Sequence, residues 1–318
     1  MVKQISIGKF RALQRASHEG VFGVLAIDHL DSLRRAINPD EPRSVPDETM
    51  EIIKHQVVFA LREHITGTLL DPVYGAAQAV GGGLSKSIGL LVELEKADYN
   101  MQPLPQVVEI RPNWSVEKIK RMSADGVKLF YYYDPDAEAL CARQDSTIQQ
   151  VVEKCRQYDI PLYAEPIVIN TDGDDKQQKV IQTAKRADEL GADILKLEFP
   201  ADSANVLQWQ PACEALTRSL SRPWVLLSAG VTFDTFTQQV EIACKAGACG
   251  FIVGRAVWGE ACKISNHDER FTWLQSVGVE RIRHLANIAR RHASNWHSYY
   301  EPTPITTTWH IDYQDDRL

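Results

Sequence analysis

The sequence has no apolar run long enough to span a bilayer, and its N-terminus, Met-Val-Lys-Gln-Ile-Ser, has no apolar signal core. No Lys/Arg cluster in it offers a phosphate-tracking surface, and its formal net charge of −7 disfavours a nucleic-acid partner. Its six cysteines show neither a CxxC pair nor the spacing of a metal site, which indicates buried, reduced thiols. We therefore expect a soluble cytoplasmic protein that binds neither nucleic acid nor a membrane.

Apolar, strand-like segments alternate with helical segments along the chain. This order, with short polar connections, is typical of an α/β fold with a single (β/α)8 TIM barrel. A doubly wound sheet is the runner-up, but its Gly-x-Gly-x-x-Gly signature is missing after the first strand, where the chain reads Asp28-His-Leu-Asp-Ser32. We predict a barrel domain over residues 1–298, beginning with a helix at 9–18, and a C-terminal tail over 299–318. The expected strands cover residues 21–27, 68–70, 106–110, 126–133, 161–169, 191–200, 224–227 and 250–253.

The sixth predicted strand carries two charged residues within an apolar run. Successive side chains alternate between the faces of a strand, so Ile194, Lys196 and Glu198 should point one way and Leu195, Leu197 and Phe199 the other. A strand covered on both faces is normally apolar throughout, and buried charges cost desolvation energy unless they are paired or used. A structural ion pair or a solvated strand end would also explain this pattern in one isolated strand.

Other predicted strands also end in polar residues, and the reactive groups of TIM barrels come from these C-terminal strand ends. Any one of these residues has an ordinary structural explanation, but together they predict one polar site at the barrel mouth. The set consists of Asp28, Asp71, Lys128, Glu165, Lys196, Glu198, Ser228 and Arg255.

The segments after strands seven and eight favour a phosphate site. Ser228-Ala-Gly230 and Gly254-Arg255 place glycines beside a forked, permanently charged donor, in the two loops that build phosphate sites in many barrels. An ordinary glycine turn with a surface arginine is the alternative. The glycine triplet at 81–83 lacks the Lys-Ser/Thr context of a phosphate loop, and we interpret it as a flexible loop.

The two strand lysines indicate the chemistry. In an apolar barrel, desolvation and a nearby second ammonium both disfavour the protonated amine, which leaves Lys196 able to attack a carbonyl. Lys128 is the candidate neighbour, and Glu165 lies on the strand between them, where it can move a proton. Mg²⁺ or another hard metal held by the carboxylates is a competing interpretation, but the lysines would repel it. His29 alone is more typical of a substrate-orienting or structural histidine than of a metal ligand.

Six motifs in chain order resemble those of the class I tagatose 1,6-bisphosphate aldolases, whose superfamily includes the sulfofructose-phosphate aldolases. The resemblance extends from about residue 9 to Trp296. The motifs are Leu25-Ala-Ile-Asp28, Leu70-Asp-Pro-Val-Tyr-Gly75, Val127-Lys-Leu-Phe-Tyr-Tyr-Tyr-Asp134, Asp193-Ile-Leu-Lys-Leu-Glu-Phe-Pro200, Leu227-Ser-Ala-Gly-Val231 and Val253-Gly-Arg-Ala-Val-Trp258.

The resemblance implies a metal-independent lyase that needs no cofactor, because its substrate is held as a covalent imine with Lys196. It implies Glu165 as the acid/base, and Asp28 and Lys128 as polar partners in the pocket. We expect His29 and Glu198 as further substrate-binding residues. By the resemblance, the ketose C1 phosphate would lie among residues of the last two loops. Those loop residues are Ser228, Gly230, Gly254 and Arg255.

One departure concerns specificity. The family commonly has Gln-Arg after the strand-one aspartate, whereas this chain has His29-Leu30, so a donor to the far end of the substrate is missing. We expect cleavage of a ketose 1-phosphate, with tagatose 1,6-bisphosphate giving dihydroxyacetone phosphate and glyceraldehyde 3-phosphate. Sulfofructose 1-phosphate or another ketose phosphate is the alternative substrate. A sugar-phosphate isomerase and a non-catalytic sugar-phosphate sensor are the alternative functions, and a homo-oligomer is possible.

Overall fold

The computed structural model describes residues 2–96, 107–171, 175–202, 206–311 and 313. Eight parallel strands, β1 to β8, close into a barrel in which each strand pairs with its sequence neighbours and β1 pairs with β8. The prediction of a TIM barrel is confirmed. The strands are β1 Phe22–Ala26, β2 Gly67–Leu70, β3 Gly89–Glu93, β4 Gly126–Tyr133, β5 Leu162–Val168, β6 Ile194–Leu197, β7 Trp224–Leu227 and β8 Gly250–Val253.

The third strand was predicted at the wrong place. Residues 107–109 lie outside any strand, Ile110 forms only an isolated bridge with Glu95, and residue 106 lies outside the described residues. The barrel instead takes β3 from the apolar segment that follows the glycine triplet, between β2 and β4. Both segments are short, apolar and β-prone, and closure of the barrel selects the one whose side chains pack on both faces.

Helices surround the barrel. Ser115 caps the helix that begins at Val116 by accepting a hydrogen bond from the Lys118 backbone N–H. No helix in the described part of the chain combines the length and apolar character needed to cross a membrane. The α-helices are α1 Ile7–Arg15, α2 Asp31–Ile37, α3 Asp47–Leu61, α4 Ala76–Gly81, α5 Val116–Arg121, α6 Glu138–Gln157, α7 Lys176–Leu190, α8 Trp209–Ser219, α9 Phe233–Lys245, α10 Arg255–Trp258, α11 His267–Trp273 and α12 Val279–His292, with 3₁₀ turns at Pro42–Ser44, Arg62–His64, Val206–Gln208, Gly259–Lys263 and Trp296–Ser298 and a π turn at Leu274–Gly278.

The apolar core has two parts, one inside the barrel and one between the barrel and its helices. Ile194 belongs to the inner cluster, whereas Leu195, Leu197 and Phe199 belong to the outer one. The predicted alternation along β6 is therefore confirmed. The strand directs Lys196 toward the barrel interior, where it is 3% exposed.

A buried hydrogen-bond network around Asp193 holds the N-terminal end of β6 in place. Its carboxylate accepts hydrogen bonds from Lys9 Nζ at 2.8 and 3.0 Å and from the Leu162 backbone N–H at 2.8 Å. Tyr300 donates its hydroxyl hydrogen to the Asp193 carbonyl oxygen at 2.7 Å. Tyr300 begins the short strand Tyr300–Pro302, which pairs in parallel with Lys3–Ile5, so both of these outer segments pack beneath the barrel.

Candidate active site

Two lysines and one carboxylate form the centre of the barrel mouth. Glu165, in β5, directs its Oε2 atom toward Lys196 Nζ at 2.8 Å and toward Lys128 Nζ at 3.1 Å. Because both amines contact the same oxygen atom, they lie no more than about 6 Å apart, within the range at which like charges affect each other. The structure therefore brings together the three residues for which the sequence predicted chemistry.

Lys128 is also held by two further carboxylates. Its Nζ lies 2.9 Å from Asp28 Oδ2 and 2.5 Å from Glu95 Oε1, and all these side chains are buried. Burial alone would raise the pKa of Asp28, but Lys128, followed by Lys196 and His29, lowers it well below its usual range. Burial raises the pKa of Glu95, although Lys128 opposes this. The ammonium of Lys128 thus compensates buried negative charge from three strand ends.

The last two loops form a concave surface beside Lys196. Gly230 adopts φ = +77°, and a Cβ there would lie 3.2 Å from Arg255 Nη2, so this position favours glycine. The preceding Ala229 also has a left-handed φ of 45°, an uncommon conformation for a residue with a side chain. Within the described part of the chain, Arg255 has no ion pair and no side-chain hydrogen bond. Its guanidinium is therefore available to an anion.

His29 borders this surface beside Gly254. Its ring packs edge-to-face on Trp258, with 5.3 Å between centroids, and its Nδ1 is 3.6 Å from Asp28 Oδ1. Burial lowers the pKa of His29 to about 3; Asp28 opposes this shift, and Arg255 adds to it. The ring is therefore neutral at physiological pH.

Eight of the ten residues to which the sequence assigned a catalytic or substrate-binding role line one cavity of about 200 Å³ at the barrel mouth. Glu198 is half-buried there, accepts a hydrogen bond from the Val168 backbone N–H at 2.8 Å, and has its pKa raised by burial. The other two residues, Asp28 and Lys128, lie behind Glu165 and contact it directly or through one another. The lining residues predicted from the sequence are His29, Glu165, Lys196, Glu198, Ser228, Gly230, Gly254 and Arg255.

Asp71 lies outside this cavity. It forms a buried ion pair with Lys54 of α3, whose Nζ also donates hydrogen bonds at 2.8 Å to the backbone carbonyls of Ile27 and His29. Asp71 Oδ1 accepts hydrogen bonds from the backbone N–H groups of Val73 and Tyr74. This pair holds the loops after β1 and β2 in place.

Sequence reasoning missed two glutamates that follow or end β3. Glu95 contacts Lys128, and Glu93 forms an ion pair with Arg111 at 2.6 Å. They were missed because the third strand was predicted at residues 106–110. Two acidic residues directly after an apolar run are the same signal that identified the other strand ends. Among the described residues, no group of three or more His, Cys, Asp or Glu side chains is arranged to hold a metal ion.

A model of the DeoC/LacD family aldolases matches residues 24–260, which is most of the chain. The chain belongs to the DeoC/LacD aldolase family. The matched segment begins at the third residue of β1 and ends after α10, so it contains the other seven strands and every residue that lines the mouth cavity. Family membership and the closed barrel confirm the prediction of a class I aldolase, a carbon–carbon lyase.

Two relatives show the level of similarity to this aldolase. Tagatose 1,6-diphosphate aldolase 2 of Enterococcus faecalis is 28% identical over 324 aligned residues, covering 92% of this chain and 97% of the relative. Tagatose 1,6-diphosphate aldolase of Staphylococcus aureus is 26% identical over 312 residues, covering 89% and 95% of the two chains.

Solved structures of other aldolases share the fold. Fructose-bisphosphate aldolase from Plasmodium falciparum, in complex with TRAP and an inhibitor, superposes with a TM-score of 0.69 at 14% identity, covering 92% of this aldolase and 98% of that chain. An archaeal fructose-1,6-bisphosphate aldolase, with its catalytic lysine bound covalently to a carbinolamine intermediate, gives a TM-score of 0.61 at 18% identity, covering 89% and 99%. At these identities the likeness concerns the architecture.

Proposed function

We propose that this protein is a Schiff-base aldolase that cleaves tagatose 1,6-bisphosphate to dihydroxyacetone phosphate and glyceraldehyde 3-phosphate. The observation that carries the proposal is the 2.8 Å contact between Lys196 Nζ and Glu165 Oε2, in a cavity that also holds the unpaired guanidinium of Arg255. A nucleophilic amine, a proton carrier and an anion-binding surface are the groups that imine-based cleavage of a ketose phosphate needs. The names of the two relatives support this choice of substrate.

The first stage forms the imine. The lone pair of Lys196 Nζ attacks the C2 carbonyl carbon of the ketose and gives a carbinolamine. Loss of the C2 hydroxyl as water then leaves a protonated imine. Glu165 is the nearest proton carrier to the reacting nitrogen, at 2.8 Å. The product of this stage is a cationic electron sink joined to C2.

The second stage breaks the C3–C4 bond. Glu165 takes the proton of the C4 hydroxyl, C4 becomes the aldehyde carbon, and the electron pair of the broken bond moves into the imine to form an enamine. Protonation of the enamine at C3 and hydrolysis of the imine release dihydroxyacetone phosphate and restore Lys196. Lys128, 3.1 Å from the same Glu165 oxygen, holds the carboxylate in position throughout.

The C1 phosphate is placed by the last two loops. Arg255 offers a forked donor beside Gly230 and Gly254, where the absence of side chains leaves room for oxygen atoms. His29, being neutral, is able to donate one hydrogen bond without adding charge. Fixing the phosphate here would set the distance between C2 and Lys196, and such positioning supplies a large part of the rate enhancement of many enzymes.

Borohydride reduction in the presence of dihydroxyacetone phosphate tests the proposal. We expect an irreversible mass increase that peptide mapping places on Lys196, and no adduct in the Lys196→Ala variant. Lys176→Met is the matched control, because Lys176 lines a neighbouring cavity that shares Glu198 with the first, and this variant should be trapped as well as the parent. An adduct on another lysine, or parental turnover by Lys196→Ala, would contradict the proposal.

A substrate panel tests the finer assignment. Tagatose 1,6-bisphosphate, fructose 1,6-bisphosphate and sulfofructose 1-phosphate should be compared by kcat/KM, with tagatose 1,6-bisphosphate expected to be highest. Turnover of a sugar phosphate without any borohydride adduct would instead indicate an isomerase, and binding without turnover a sensor. Activity abolished by EDTA would indicate the competing metal mechanism.

We also propose a cytoplasmic location. All six cysteines are free, and five of them are buried, as expected of a protein in a reducing compartment. We propose in addition that the protein forms a homo-oligomer. Light scattering of the purified protein would test this.

A further inference from the structure

A second concave surface lies at the opposite end of the barrel from Lys196. It encloses a cavity of about 380 Å³, with a floor of residues that begin or directly precede the first three strands, among them Phe22, Thr66 and Ile88. Since a five-residue strand spans about 17 Å, this surface is separated from the reactive site by the length of the barrel. It belongs to no part of the mechanism described above.

The cavity is strongly basic. Arg62, Arg283 and Arg290 line it, and Glu63, the one acidic residue of its lining, already pairs with Arg62 at 3.3 Å. Counting only lysine, arginine, aspartate and glutamate, the lining carries a net charge of +2 and the whole chain −7. Arg283 and Arg290 belong to the arginine-rich helix α12, whereas Arg62 comes from a segment more than 200 residues earlier in the chain.

Two of the four arginines of helix α12, Arg283 and Arg290, line the cavity. Arg283, Asn287 and Arg290 are spaced at i, i+4 and i+7, which places them on the same face of the helix. In the described part of the chain neither arginine forms an ion pair, and Arg290 donates only to the Asn287 side chain. Both arginines are exposed at the cavity, where an anion can reach them without first displacing a carboxylate.

The rest of the lining adds uncharged donors. Ser85 and Ser87 follow the glycine triplet, and their hydroxyl groups hydrogen-bond to each other at 2.8 Å beside the cavity. Burial is the largest cause of the lowered pKa of His64. Arg283 lowers this pKa further and Glu63 opposes the shift, so His64 lies within electrostatic range of both residues. The site thus combines forked cations with neutral hydroxyl and imidazole groups, which is the donor chemistry that phosphate oxygens accept.

We propose that this cavity binds a small phosphate-bearing anion of at least two negative charges. Its volume lies within the range of small-molecule sites, and its charge is confined to one concavity rather than spread along a stripe, as nucleic-acid binding would require. The proposal is independent of the chemistry assigned to Lys196.

Isothermal titration calorimetry with inorganic pyrophosphate tests this proposal. The protein used carries Arg255→Gln, so that the anion surface at the barrel mouth is weakened. At about 150 mM salt, where diffuse surface attraction is screened, we expect one binding site per chain. Adding Arg283→Gln and Arg290→Gln together should raise the Kd at least about tenfold, because two charge-assisted donors are lost.

Arg291→Gln in the same Arg255→Gln background is the matched control, since Arg291 is an exposed arginine of α12 outside the cavity lining. It should bind pyrophosphate as the Arg255→Gln protein does. Circular dichroism and thermal melting of each variant would establish that the barrel is folded. Equal affinities in the Arg283→Gln/Arg290→Gln and Arg291→Gln proteins, or no binding by the Arg255→Gln protein, would overturn the proposal.

Discussion

Replacing Lys128 by methionine should destabilise this aldolase in a pH-dependent way. The Lys128 ammonium is 1% exposed and contacts Asp28, Glu95 and Glu165 within 3.1 Å. Removing one partner of a buried ion pair typically costs about 3–5 kcal/mol, because the remaining charge is left uncompensated. We expect a loss of this size in the free energy of unfolding at pH 7.5.

The dependence on pH follows from the directions of the pKa shifts. In the parent, the pKa of Asp28 is lowered in the folded state, so its stabilising contribution is present above its unfolded value and is lost as the pH falls through the folded value. Without Lys128 the effect of burial remains, and the pKa values of Asp28 and Glu95 both rise. At lower pH these carboxylates are protonated in the variant and no longer leave buried negative charge uncompensated. The loss in the free energy of unfolding should therefore be smaller at pH 5 than at pH 7.5.

Urea unfolding followed by circular dichroism at both pH values measures this effect. Lys176→Met is the matched control and should change the free energy of unfolding by less than about 0.5 kcal/mol. Adding Glu95→Gln to Lys128→Met should recover part of the loss, with a coupling energy of about 0.5–3 kcal/mol in the double-mutant cycle. A Lys128→Met loss below about 1 kcal/mol, or one that is equal at the two pH values, would refute the reasoning.

Three further predictions concern the mouth cavity. Glu165→Gln should lower kcat about 10²–10⁴-fold, measured as aldehyde release, because proton transfer at the C4 hydroxyl is lost. Arg255→Gln should raise the KM for a ketose 1-phosphate about tenfold or more with a smaller change in kcat, because a charge-assisted contact to the phosphate is lost. Because the fold lowers the pKa of His29 to about 3, the parent loses stability as the pH falls below about 6.5. His29→Gln lacks this loss. Its free energy of unfolding relative to the parent should therefore rise by about 1.4 kcal/mol per pH unit as the pH falls from 6 to 4, measured by urea unfolding.

Each of these predictions has an outcome that contradicts it. Turnover by Glu165→Gln above a tenth of the parental value would remove Glu165 from the proton transfer. An unchanged KM in Arg255→Gln would place the phosphate elsewhere. Parallel pH–stability curves for His29→Gln and the parent would show that His29 is not held neutral by the fold.

The sequence was sufficient to predict seven of the eight barrel strands, including those that carry ionisable groups in otherwise apolar runs. Strands β4, β7 and β8 begin and end at the predicted residues, and Lys196 and Glu165 meet as expected. A charge inside a buried strand is costly, so its presence is informative, and alternation along the strand shows which way it points. The segments after β7 and β8 do line the same cavity as Lys196.

What failed was the choice between similar short runs. The segments at 89–93 and 106–110 both satisfy the local preferences of a strand, and only pairing with both neighbours distinguishes them. The partners of Lys128 were incomplete for the same reason, because Glu95 follows the strand that was missed. The basic cavity at the other end of the barrel combines Arg62 with Arg283 and Arg290 of α12, and tertiary structure alone brings these two segments together.

The network around Asp193 has a consequence for how variation across this protein should be understood. Lys196 lies only three residues beyond Asp193, so the position of Lys196 Nζ along the barrel axis depends on contacts made at the far end by Lys9, Leu162 and Tyr300. A substitution at Lys9 removes no group from the mouth, yet it allows β6 to shift along its axis. Positions remote from the chemistry would then be as intolerant to change in a mutational survey as those lining the cavity.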